Sequence, residues 1–174
     1  AEDFPVIAKA SPSYRNTYVY GNQISKPGDT GSMIHYGGDH AGSEANYRKG
    51  TLYFWNNTLY AASGNSNAFF QLSTTEEKAE VWNNIFGTVA SIANPGLRMG
   101  QDNDAGYTTG GIINLGKNWI GTNWTIHSDQ YHTIPGTVTG QSNMIVGANI
   151  PFNTSTFIPT NSSVVDIAQA NLAL

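Results

Sequence analysis

Apolar and polar residues change places over short distances along most of this chain, and long apolar stretches are missing. From Asn16 to Ile34 the run NTYVYGNQISKPGDTGSMI holds two β-branched and aromatic stretches broken by KPGDTG, where Pro27, Gly28 and Gly31 favour a turn. The pattern predicts two short strands, followed by loop from His35 to Gly50. Thr51 to Ala62, TLYFWNNTLYAA, has aromatic and β-branched runs on both sides of Asn56-Asn57, a pair that tolerates positive φ, and reads as a hairpin.

One segment carries a different period. Ser73-Thr74-Thr75-Glu76-Glu77 offers overlapping capping boxes, and Val81, Ile85, Val89 and Ile92 follow near helical spacing. These residues predict a helix near 75–93, stopped by Pro95-Gly96, with Glu76, Glu77 and Glu80 explained by the positive end of its dipole. From Leu97 onward, GGIINLG, NWTIHS and NMIVGANI are apolar stretches too short for another helix, punctuated by Gly and Asn.

The expected fold is therefore mainly β with one helix, built of short antiparallel strands. Such strands either interleave in an intertwined homotrimer or close a monomeric β-sandwich. A change of texture near Pro135 to Thr139 divides the chain into a β-rich head, residues 1–134, and a fibrous or intertwined stub, residues 135–174. No fixed-period repeat is visible.

Composition narrows the function. Charged residues make up 11% of the chain, against a typical ~25%, and Asn, Thr, Ser and Gly supply the polarity instead. The formal net charge is −4 with eight Lys and Arg in no run, which argues against nucleic acid as a partner. The absence of cysteine removes disulfides, thiolate metal sites and a cysteine nucleophile. AEDFPVIAKA lacks the plan of a signal peptide, and no window reaches the ~18 apolar residues of a membrane span, so no membrane insertion is expected.

The terminal segment FIPTNSSVVDIAQANLAL resembles the stub that precedes the cleaved C-terminal intramolecular chaperone of bacteriophage tail fibres and tailspikes. Ile158-Pro159, Asn161-Ser162 and Val165-Asp166-Ile167 match its Pro-led strand, polar turn and apolar step, while Ala168 stands where a Gly is usual. GLRMGQDNDAGYTTGGIINLGKNW and TGQSNMIVGANI are similar in texture to fibre-tip segments. The resemblance implies a virion protein, a homotrimeric tail-fibre tip of the kind carried by L-shaped side fibres, that binds bacterial surface polysaccharide or an outer-membrane protein.

Candidate chemistry follows from residue types. His35/Asp39/His40 and His127/Asp129/His132 invite a metal reading, but a five-residue spacing puts strand side chains on opposite faces, so no metal or cofactor is expected. Gln101-Asp102-Asn103-Asp104-Ala105-Gly106 begins like a calcium loop without its closing Glu. Glycan cleavage needs two carboxylates about 5 to 10 Å apart. Asp29, Asp39, Glu44, Asp102, Asp104 and Asp129 are candidates with no pair singled out, and no catalytic residue is assigned.

Sugar rings stack their CH faces on flat aromatics while neighbouring polar groups take the hydroxyls. Tyr36, Tyr47, Tyr107 and Trp119, set among Gly, Asn and Asp, together with Asp102 and Asp104, are the expected ligand contacts. Trp55 and Trp82 are set aside as members of regular elements, and Phe4, Phe54, Phe69, Phe70 and Phe86 as core. The expected function is host-receptor recognition without turnover. A structural fibre or capsid-decorating segment, a carbohydrate-binding lectin domain and a polysaccharide-degrading tailspike fragment are the alternatives.

Overall fold

A computed structural model describes residues 11–27, 32–37, 49–62, 68–72, 76–89, 96–98, 111–122, 124–127 and 136–160. Fourteen strands fall among them: β1 (Asn16–Tyr20), β2 (Gln23–Lys26), β3 (Ser32–Tyr36), β4 (Gly50–Trp55), β5 (Thr58–Ala61), β6 (Ala68–Leu72), β7 (Glu77–Trp82), β8 (Ile85–Thr88), β9 (Gly96–Arg98), β10 (Ile112–Leu115), β11 (Asn118–Gly121), β12 (Thr125–His127), β13 (Thr137–Thr139) and β14 (Met144–Gly147).

They form three sheets, ordered β1-β4-β7-β10-β13, β2-β5-β8-β11-β14 and β3-β6-β9-β12. The chain visits the sheets in rotation: four circuits lay one strand on each, and β13 and β14 follow on the first and second, so the architecture is a parallel β-helix. Every pairing within the three sheets is parallel. The mainly β expectation holds and the antiparallel one does not. Parallel neighbours need a long crossover, and here the other two sides of the circuit supply it.

Two local expectations are corrected. Thr51 to Ala62 is not a hairpin: β4 and β5 lie in different sheets, and Asn56, at φ 55°, turns the corner between them. The helix expected near 75–93 is β7, a corner and β8 over its described part. Ala79 and Val81 are buried while Lys78 and Glu80 are half-exposed, which is the period-two pattern of a strand. The apparent helical spacing from Val81 to Ile85 counts across the corner Asn83-Asn84, where Asn83 has φ 56°. Glu77 opens β7 fully buried, its carboxylate 3.3 Å from the ammonium of the equally buried Lys49, so it is not a helix-capping acid. Among the described residues the helical turns are two short 3₁₀ segments, Pro12–Arg15 and Gln141–Asn143.

One side chain repeats at one corner of every circuit. Asn57 and Asn84 give their backbone N–H to the side-chain oxygens of Asn84 and Asn118, at 2.9 and 3.0 Å, and Asn22 does the same to Asn57 at 3.0 Å. The side-chain amides of Asn57, Asn84 and Asn118 donate back to the carbonyls of Trp55, Trp82 and Gly116. This asparagine ladder closes the hydrogen bonds of a buried corner, where unpaired backbone groups would be costly.

Inside the prism, Leu52, Phe54, Leu59, Phe70, Val81, Phe86, Ile113 and Ile120 form one continuous core. Phe54 and Phe70 meet edge to face at 5.1 Å, and Phe69 and Phe86 lie 5.0 Å apart. Phe54, Phe69, Phe70 and Phe86 are all essentially inaccessible, as expected for core.

A second, smaller cluster lies outside the second sheet. There Phe152, Ile85 and Trp119 pack with Tyr60, Ile145, Ile150 and Phe157, so residues 150–157 lie as a strap over that sheet. Gly87 makes room for it: a Cβ at this position would stand 3.0 Å from the Phe152 ring. The boundary expected near residue 135 falls between β12 and β13, and β13 and β14 pair with β10 and β11. No helix of the described residues is long and apolar enough to cross a membrane.

Candidate functional site

The outer face of the first sheet stands apart from the rest of the described surface. Along β1, β4 and β7, alternation turns Thr17, Val19, Leu52, Phe54, Ala79 and Val81 inward and leaves Tyr18, Tyr20, Tyr53, Trp55, Lys78, Glu80 and Trp82 on the outside. Because the strands are parallel and in register, Tyr18 faces Tyr53, Tyr20 faces Trp55, and Trp55 faces Trp82.

Neighbouring strands lie about 4.8 Å apart, close to the spacing at which aromatic rings stack. Tyr18 and Tyr53 stack at 5.1 Å, Tyr20 and Trp55 at 4.6 Å, and Trp55 and Trp82 at 5.2 Å with their planes only 2° apart. Tyr18 also meets Trp55 edge-on at 6.3 Å, which ties the two rows together. Exposure falls along the row: Tyr18 is 48% and Tyr20 60% exposed, whereas Trp82, at 6%, is buried. Large apolar surface of this kind left in contiguous array marks an interaction site more often than scattered exposed residues do.

The aromatic rows end at a polar step. Continuing the register one place beyond Val81 and Leu115 sets Gly116 beside Trp82, so the row of rings stops where a side chain is missing. A pocket of about 170 Å³ opens there, lined in part by Glu80, Trp82, Asn114, Gly116 and Asn143. That is room for several waters at ~30 Å³ each.

Its polar groups form a chain across three strands. Thr139 Oγ1 donates to Asn114 Oδ1 at 2.7 Å, Asn114 Nδ2 donates to Glu80 Oε1 at 2.9 Å, and Lys78 Nζ pairs with the same Glu80 oxygen. Glu80 Oε2 has no protein partner among the described residues. The face thus joins apolar rings to a carboxylate and an amide that line one pocket, the combination that recognises a ring with CH and hydroxyl faces.

No family model, curated protein or solved structure matches this chain.

Of the ligand contacts expected from sequence, Tyr36 and Trp119 are placed and both are buried, 6% and 3% exposed. The Tyr36 hydroxyl lies 3.2 Å from Thr17 Oγ1 and 3.4 Å from the Lys49 carbonyl oxygen. Trp119 does point outward from β11, but the strap carrying Phe152 covers it. Tyr47, Tyr107, Asp102 and Asp104 lie outside the described residues, as do Asp29, Asp39, Glu44 and Asp129. Among the described residues no group of three or more His, Cys, Asp or Glu side chains is placed to hold a metal ion.

Sequence reasoning passed over Tyr18, Tyr20, Tyr53 and Asn114, assigned Glu80 to the start of a helix where β7 stands, and dismissed Trp55 and Trp82 for lying in regular elements. A signal was present. WNN occurs at Trp55 and again at Trp82, each followed by a short apolar run, and Tyr20-Gly-Asn and Gly116-Lys-Asn occupy the equivalent corners.

Proposed function

We propose that this chain is a receptor-recognition segment that binds cell-surface polysaccharide along the outer face of its first sheet, within a homotrimeric bacteriophage tail-fibre tip. The observation that carries the binding reading is the stacked row Tyr20-Trp55-Trp82 ending at the Glu80 and Asn114 pocket. Rigid rings cost little entropy to present, and their edges repeat along the solenoid at the strand spacing, so a linear polymer meets several of them at once; Trp55, stacked on both faces, offers its edge, and the faces left unstacked are those at the two ends of the row. The fibre setting rests on the resemblance of residues 157–174, of which 157–160 belong to the described structure.

Binding without turnover is the mode that fits best: among the described residues Glu80 is the single carboxylate on this face, whereas glycoside hydrolysis uses a pair. The test is titration of the chain with polysaccharide from intact bacterial surfaces, followed by Trp fluorescence and by sizing of the polymer. Saturable binding that is lost in Trp55→Ala, with the polymer left at full length, supports the proposal. A shortened polymer would replace recognition with depolymerisation, and no binding by the wild-type chain to any bacterial polysaccharide would sink the reading.

A further inference from the structure

Resting on that reading, the geometry points to the chemical class of the glycan: we infer that the pocket beside Trp82 is a subsite for an uncharged hexopyranose presenting two adjacent hydroxyls, and that it rejects acidic sugars.

The pocket is lined by one ionisable side chain among the described residues, Glu80. Lys78 pairs with this carboxylate from the adjoining row but does not line the pocket, and its contact is to Oε1, the oxygen already taken by Asn114. Glu80 lines the cavity, and the contacts of its carboxylate among the described residues are to Oε1, which leaves Oε2 as the available acceptor. Asn114 is held at both ends of its amide, with Oδ1 accepting from Thr139 and one Nδ2 hydrogen given to Glu80, so its second N–H is fixed in direction.

A carboxylate oxygen accepts from a hydroxyl hydrogen, and an amide N–H donates to a hydroxyl oxygen. Side by side on neighbouring strands, about 4.8 Å apart, Glu80 and Asn114 therefore match two vicinal hydroxyls, one used as donor and the other as acceptor. The indole of Trp82 supplies the apolar wall and Gly116 the open space. A uronate or phosphate brought into this cavity would set its negative charge against Glu80, in a partly desolvated site where screening is weak.

Matched oligosaccharide pairs that differ only at C6 make the test: gluco-, manno- and galacto-oligosaccharides against the corresponding glucuronans, mannuronans and galacturonans, titrated by calorimetry into the intact chain. The expected result is that the neutral member of the bound pair is preferred by at least about tenfold, as fits a uronate charge set against Glu80 in a partly desolvated site. Glu80→Gln keeps the acceptor for Asn114 Nδ2, so the face stays assembled. It should weaken neutral binding by about tenfold, because Oε2 becomes a donor, and narrow the gap between the pair. Asn114→Ala should lose a similar factor.

Preference for the uronate member, or neutral binding indifferent to both substitutions while Trp55→Ala abolishes it, overturns the subsite and leaves glycan binding on the aromatic rows intact. Absence of binding to every oligosaccharide and to bacterial polysaccharide overturns both.

Discussion

Asn84 and Asn118 are locked together across two circuits: the backbone N–H of Asn84 reaches Asn118 Oδ1 at 3.0 Å, while the Asn84 side-chain amide donates to the carbonyls of Phe54 and Trp82 at 3.0 and 2.9 Å. Both side chains are fully buried. The corner therefore has no water to replace what either amide gives.

Replacing this amide should be costly out of proportion to its size. Asn84→Ala removes the side-chain donor to two carbonyls and the acceptor of the Asn57 N–H, for a loss of about 3 kcal/mol in urea unfolding. Asn84→Asp should be at least as damaging, since a carboxylate has no hydrogen to donate and would be buried charged. Wild-type midpoints in either variant would mean the ladder contributes nothing to stability.

The strap over the second sheet depends on Gly87. Gly87→Val should crowd the Phe152 ring and destabilise by about 1 to 3 kcal/mol. Phe152→Ala in the same background should cost less than it does alone, because the crowding it relieves is the cause. Additive losses in the double-mutant cycle would place the Gly87 effect elsewhere.

The buried pair Lys49–Glu77, 3.3 Å apart with Glu76 at 3.2 Å from the same ammonium, makes a third test. Lys49→Met removes the ammonium beside a buried carboxylate and should cost about 3 to 5 kcal/mol, and adding Glu77→Leu should restore part of it. The readout is the unfolding midpoint at neutral pH, where both groups are charged in the unfolded chain.

Accessible and covered aromatics should separate cleanly. Tyr20→Ala removes an exposed ring stacked on Trp55, so polysaccharide affinity should fall while stability drops by no more than about 1.5 kcal/mol. Trp119→Ala, under the strap, should cost about 3 to 5 kcal/mol and leave the affinity of the folded fraction unchanged. The reverse assignment in calorimetry would move the site to the second sheet.

In solution the native mass should be about three times 18.7 kDa and should survive detergent without boiling, as a kinetically trapped trimer does. A monomer by light scattering would remove the fibre tip and leave a solenoid that binds glycan alone.

How much of this was legible beforehand differs from element to element. The alternation in TLYFW and NTYVY and the low charge with abundant Asn and Thr are local properties, and they determined short strands and a β-rich chain; in β1 and β4 the same alternation separates inward from outward side chains. Which strands would pair was not local. Register partners Asn16, Thr51, Lys78, Ile112 and Thr137 stand 35, 27, 34 and 25 residues apart. Loops of unequal length between equivalent strands therefore hid the repeat from any search for a fixed period. Neighbouring strands divided by a two-residue corner look like a hairpin to local reasoning, and only the closed circuit, which buries Phe54 against Phe70 and pairs Asn57 with Asn84, turns them into different sheets. The candidate site has the same origin: Tyr20, Trp55 and Trp82 are far apart along the chain, and parallel in-register stacking at the strand spacing is what makes one surface of three rings.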